Sequence, residues 1–236
     1  MVRFESKTKI LSFSGRGLAM DRLRRQSAWL LLALTLSGSL VPASGCSMLA
    51  TTLWMIKGIN EKADYPGLTG KRVAVVCRPV SSLQYRNPTV GRDLAKEVGV
   101  LIAKNSPKTH VIEQREVSEW ADEKGLDEYM EIGKALNAEM IVLLDLDDFN
   151  LFQGQGLYQG KATIKVSVYD VKAGGGPTFE KSIPQIHYPP NSPIPAGDKP
   201  EPEFRAQFVK ILAEHVSRLF YDHDPTAEFA NDSTAL

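Results

Sequence analysis

Cysteine is scarce in this chain: of 236 residues, only Cys46 and Cys77 carry a thiol. Two thiols allow at most one disulfide and cannot by themselves close a zinc site. Charge of one sign is also lacking, since 28 Lys and Arg meet 28 Asp and Glu. Residues 1–45 hold seven of the basic and two of the acidic residues, which leaves the remainder at −5 with histidine neutral. Such a body has no basic stripe for nucleic acid and no charge that seeks an anionic membrane surface. Ser47 to Asn60 is apolar but falls short of the roughly 20 residues that cross a bilayer. Motifs of known chemistry are missing too. No G-x-S-x-G elbow, phosphate-binding G-x-x-x-x-G-K-[ST] loop, HxH or HExxH occurs, and no repeat of fixed period is present. Gly154-Gln155-Gly156 and Gly174-Gly175-Gly176 read as turns.

What the chain does have is Met20 to Cys46. Arg22, Arg24 and Arg25 form a positive start, Ala28 to Val41 a largely apolar run, and Pro42-Ala43-Ser44-Gly45 brings small residues up to a cysteine. This is a secretory signal layout. It resembles a bacterial lipoprotein signal, which implies that Cys46 receives fatty-acyl chains such as palmitate and becomes the first mature residue. Ser44 and Gly45 fit that motif, whereas Ala43 stands where Leu is preferred. An uncleaved anchor or a plain secretory peptide is the alternative. Residues 1–19 have no apolar period, and Met20 is the expected start. Ser47 after the cysteine favours the outer over the inner membrane under the aspartate-retention rule, with the body facing the periplasm. The expected organisation is therefore a removed segment 1–45 with its signal at 20–45, a lipidated tether 46–66, a folded body 67–222 and a loose tail 223–236. The tether either lies at the lipid interface, where Trp54 is favoured, or packs on the body.

Along the body, Lys71 to Pro79 holds the continuous apolar run Val73–Cys77, the pattern of a strand covered on both faces. Cys77 inside it reads as a small buried hydrophobe. After a polar loop, Val90, Leu94, Val98, Leu101 and Ile102 recur at helical spacing over residues 89–104. A short strand at 109–114, a short helix at 117–123 and a helix from Asp127 to Leu136 with Asn137 as its stop follow. Glu139 to Phe149 is the second apolar strand. Lys161 to Val171 alternates cleanly and pairs with Thr178 to His187 as an antiparallel hairpin, Pro184 marking an edge or bulge. Six prolines make residues 189–202 a stiff, extended loop. Glu203 to Tyr221 is a long amphipathic helix. The order predicts an α/β body, a mixed sheet of about five strands covered by three to four helices.

Several stretches in that order carry a resemblance: RVAVVCRP, Val90-Gly91-Arg92-Asp93-Leu94-Ala95, EYMEIGKALNAEMIVLLDLDDF and IKVSVYDVKAGG. Together, over roughly residues 71–220, they resemble a superfamily of periplasmic lipoprotein domains. It includes the curli-secretion lipoprotein, the lipoprotein activator of penicillin-binding proteins and the amino-terminal domain of the Tol-system propeller protein. The resemblance implies helices on a mixed sheet and a role in binding envelope partners, without cofactor or catalytic residues. Lys165, Glu180 and Lys181 make the hairpin polar, so the membrane-crossing hairpins of the curli protein are not implied here.

The most site-like residues are Asp145, Asp147 and Asp148. Hard cations need converging oxygen ligands, and Asp145 and Asp147 are expected on one strand face with Asp148 on the other. A solvated strand end is the plain alternative. His187, His215 and His223 lack ligand spacing, with His215 expected against the core and His223 in solvent. Three functions compete: a non-enzymatic lipoprotein binding an envelope protein, a homo-oligomeric subunit pairing through the hairpin edge, and a hydrolase built on the acidic cluster.

Overall fold

The computed structural model describes residues 60–225. Cys46, the signal before it, the tether through residue 59 and the tail from residue 226 lie outside the described residues. No described helix is long and apolar enough to cross a membrane.

The described residues form one mixed sheet ordered β2-β1-β3-β4-β5. The strands are β1 (Arg72–Pro79), β2 (His110–Val111), β3 (Met140–Phe152), β4 (Leu157–Asp170), β5 (Phe179–Tyr188) and β6 (Ile194–Pro195), the last paired to β4. The helices are α1 (Ser81–Arg86), α2 (Val90–Asn105), α3 (Gln114–Lys124), α4 (Tyr129–Ala135) and α5 (Glu201–Ser217). β1 runs parallel to β2 and β3, and β3-β4-β5 is antiparallel. The α/β class, the hairpin and the long final helix are thus as the residue pattern predicts. One strand and one helix more are present than predicted, because the two-residue β6 and the six-residue α1 carry too little pattern to be seen, and the strand predicted over 109–114 shortens to the two residues of β2.

Burial follows the apolar periods. On one sheet face, Val75, Val142, Leu144, Ile164 and Val166 pack beneath Leu94, Val98 and Ile102 of α2 and Phe204, Phe208 and Leu212 of α5. On the other, Ala74, Val76, Ile141 and Leu143 meet Val117 of α3 and Ile132 of α4. Covered on both faces, β1 and the first half of β3 are therefore continuously apolar, and each fully buried Val, Leu or Ile contributes about 1.5–3 kcal/mol. Beyond Leu143 polar residues appear on that face, where Tyr129 at the start of α4 and Asp127 before it meet Arg78.

Three local expectations change. The stretch after Pro79 is not a plain loop: Leu83 is buried, Gln84 Nε2 donates to the Pro79 carbonyl at 3.2 Å, and a helical turn forms around them. Gly154, Gly156 and Gly160 read together from the sequence as a loosened link, but the three do not share one role. Gly154 and Gly156 turn with positive φ, but Gly160 is buried in β4 because the Phe208 ring lies on it; a Cβ there would sit 2.7 Å from two ring atoms. The proline-rich loop is tied down as well. Ile194 and Pro195 pair with Tyr158 and Leu157, and the Pro200 carbonyl accepts from Glu203 and Phe204 at the start of α5. Asn137 ends α4 with φ 54°, as its position predicts.

Both ends of the described chain meet. Glu61 and His223 exchange backbone hydrogen bonds of 2.8 and 3.0 Å, and Lys62 pairs with Asp222 at 2.5 Å. Asp64 pairs with Lys181, and the Tyr65 ring packs on Phe179 with centroids 5.2 Å apart. Residues 61–65, read from sequence as tether, are thus fastened to β5 and to the segment after α5.

Candidate functional site

The acidic cluster sits where β3 leaves the shelter of α3 and α4. A β-bulge falls between Leu146 and Asp148. It keeps both Leu146 and Phe149 in the core and turns Asp147 and Asp148 out together. The expectation that Asp148 points away from Asp147 is corrected by that extra residue: strict alternation does not survive a bulge.

Asp145 is not free to take a cation. Arg78 Nε and Nη2 both reach its Oδ1, each at 2.8 Å, and Arg78 Nη1 reaches Asp127 Oδ1 at 3.2 Å. The guanidinium also lies over the Tyr129 ring, 5.9 Å from its centroid. These acids raise the Arg78 pKa, the Asp145 hydrogen bond first. Arg78 stands beside Asp145 in the β1–β3 register, and Asp145 beside Lys165 in β3–β4. Lys165 Nζ in turn pairs with Glu180 of β5 at 3.0 Å. A row of alternating charge therefore crosses four strands at one end of the face that α3 and α4 cover. Tyr169, on the same face, packs against Tyr129 with centroids 5.1 Å apart; burial first, then the Tyr129 hydroxyl, pushes its pKa up to about 12. Among the described residues no group of His, Cys, Asp and Glu could hold a metal ion.

The remaining candidates are scattered. Cys77 is buried in β1, and burial, with Asp145 adding, raises its thiol pKa, so the thiolate is suppressed. His187 is exposed on β5, and His215 is half-buried in α5. His223 is not simply solvated: its Nε2 lies 3.7 Å from Glu61 in the bridge between the two ends.

A feature the residue pattern does not announce runs along the outer edge of β1. β2 pairs only with Arg72 and Val73, so among the described residues the rest of β1 has no strand on that side. Two cavities lie there between α2 and α3. One, of about 630 Å³, reaches Val75 and is lined by Ala95, Gly99 and Val100 of α2. The other, of about 500 Å³, reaches Cys77. Ser118 and Gln114 line both, and Arg92 and Asp122 form a 2.9 Å ion pair across their junction. The residue pattern carries no signal of it, because residues 109–114 read as a strand long enough to cover the run Val73–Cys77, and only the start of α3 at Gln114 cuts that strand to two residues.

No protein-family model matches the chain, and no curated protein matches it in sequence. Solved structures resemble it distantly. The PelC dodecamer from Paraburkholderia phytofirmans is similar with a TM-score of 0.43 and 8% identity, over 70% of this chain and 96% of that one. The lipoprotein GNA1162 from Neisseria meningitidis has a TM-score of 0.40 and 8% identity, over 62% of this chain and 97% of that one. The LpoB C-terminal domain from Salmonella enterica has a TM-score of 0.34 and 12% identity, over 56% and 89%. Likeness at this distance assigns no role to any residue here.

Proposed function

We propose that this is a non-enzymatic lipoprotein of the bacterial envelope. Cys46 is acylated, the segment before it is removed, and the α/β body binds a partner protein on the periplasmic side. The observation that carries the reading is the ordered run from Arg22 through the apolar stretch and the small residues to Cys46. Asn60 follows Cys46 by fourteen residue steps, a tether of at most about 50 Å fully extended. The body fits a binding role better than a catalytic one. Its polar residues are spent on one another across the sheet, and the acid best placed for metal chemistry is bonded twice to Arg78.

The test is the intact mass of the membrane-extracted protein. A chain starting at Cys46 and carrying acyl chains is expected, and Cys46→Ala is expected to leave the membrane fraction. A mature chain with unmodified Cys46 refutes the reading.

Self-assembly is the second reading, because β5 ends the sheet with its outer edge unpaired among the described residues. That edge is guarded. Glu180 and Lys181 are exposed on it, and Pro184 falls where the β4–β5 register shifts between Ala162 and Ile164. Light scattering across a wide concentration range separates the two; a concentration-dependent oligomer favours assembly, and a monomer at every concentration refutes it.

A further inference from the structure

The outer edge of β1 is an unfinished part of the sheet. The Lys71 and Val73 carbonyls accept from the His110 and Ile112 amides, at 2.9 and 2.8 Å, whereas the Arg72 carbonyl turns the other way and accepts from Glu139. Alternation then directs the amide and carbonyl of Val75 and Cys77 outward. No hydrogen bond among the described residues meets those four groups, because β2 stops at Val111 and the chain turns into α3. Pro79, the next outward residue, has no amide, and its carbonyl is taken by Gln84. Backbone groups this deep in a fold are rarely left without partners, since leaving them so is costly. The two cavities between α2 and α3 lie over these same residues.

We propose that this groove binds an extended segment of the partner protein, which pairs with β1 at Val75 and Cys77 as an added strand in the space β2 leaves vacant. The inference rests on the partner-binding reading above and names its surface. The walls define the occupant. Ala95, Gly99 and Val100 on the α2 side present small or apolar surface, and Val100 is 52% exposed. Gln114 and Ser118 on the α3 side are polar. An extended chain meets the two walls with alternate residues, so the segment has an apolar residue at every second position and polar residues between. Lys96 on the α2 rim and Glu113 at the start of α3 take part in no ion pair among the described residues, and they favour an acid and a base respectively on the occupant. The floor is narrow, Val75 being 1% exposed, so the walls part to admit a strand. What joins them at the junction is the Arg92–Asp122 pair, with side chains 54% and 63% exposed, which holds them only weakly.

A phage library of linear peptides, panned on the detergent-extracted full chain with the Ser118→Trp variant as counter-selection, tests this. Enriched peptides are expected to alternate apolar and polar residues. A synthetic copy is expected to slow hydrogen exchange at the Val75 and Cys77 amides. N-methylation at every second amide, in the register that faces β1, is expected to weaken it at least tenfold, and Lys96→Glu to weaken it severalfold. Peptides spaced as a helix, binding indifferent to both N-methyl registers, unchanged exchange at the two amides, no enrichment over Ser118→Trp, or chain self-association in place of peptide binding each overturn the proposal. The acylation of Cys46 is measured on the same preparation. An acylated chain whose groove takes no strand overturns this inference alone; an unacylated chain refutes the envelope reading on which it rests.

Discussion

Replacing Asp145 by asparagine separates an ion pair from a cation site. In the structure, Asp145 is 20% exposed and accepts a hydrogen bond from Arg78 Nε with Nη2 in ion-pair contact, Arg78 itself being 35% exposed. Hydrogen bonds to charged groups contribute about 1.5–3 kcal/mol when sheltered, and exposed ion pairs about 0.2–1 kcal/mol. The partial burial places the coupling between these, at about 1.5 kcal/mol. The second Arg78 partner, Asp127, is 88% exposed and compensates little. For a body of this size such a loss lowers Tm by roughly 3–6 °C. The assay is a double-mutant cycle of Arg78→Met and Asp145→Asn followed by urea unfolding, with the m-value checked for constancy. Each melt is repeated with millimolar calcium, magnesium or zinc. A structural pair predicts positive coupling and no metal effect that depends on Asp145. A coupling below about 0.5 kcal/mol, or a metal-induced rise in Tm that Asp145→Asn abolishes, refutes the assignment.

Three further outcomes follow from the packing and the hydrogen bonds. Gly160→Ala places a methyl 2.7 Å from the Phe208 ring, which is fully buried and stacked on Phe149, so overpacking of about 2–3 kcal/mol is expected; Phe208→Leu in the same chain should relieve it, and additive losses in urea melts refute the contact. The Asp170 carboxylate accepts from the Ala173 and Lys172 amides, which lower its pKa in that order. A depressed carboxylate adds stability above its unfolded value, and that stability is lost as pH falls through the folded value. Asp170→Asn should therefore lower stability at neutral pH and flatten the fall below about pH 4, the two proteins converging in acid. Cys77 is expected to resist thiol reagents in the folded protein and to react only as fast as the chain opens, a rate measurable with a chromogenic disulfide; prompt labelling without denaturant refutes its burial.

The legible parts were those carried by periodicity. The run Val73–Cys77, the helical spacing from Val90 to Ile102 and the alternation from Ala162 to Val168 each specify an element and its buried face without reference to the rest of the chain. Asn137 and the glycines of the two hairpin turns were equally local, because positive φ is a property of one residue. The candidate site was legible only as composition. Three aspartates in four residues were visible, but their directions were not, because the bulge after Leu146 depends on how β3 pairs with β4.

The sequence by itself determined the α/β class, the strands that would be buried on both faces, the closing helix and the placement of Cys46 behind an apolar run. These follow from local preference and from the period of apolar residues. Only the tertiary structure decided that Arg78, Asp145, Lys165 and Glu180 stand in one row, that the segments before β1 and after α5 clasp through Glu61 and His223, and that among the described residues β1 keeps an unpaired edge between α2 and α3. Each of these depends on register between segments distant in sequence. Register is chosen by the fit of whole faces against one another, which no single stretch of the chain contains.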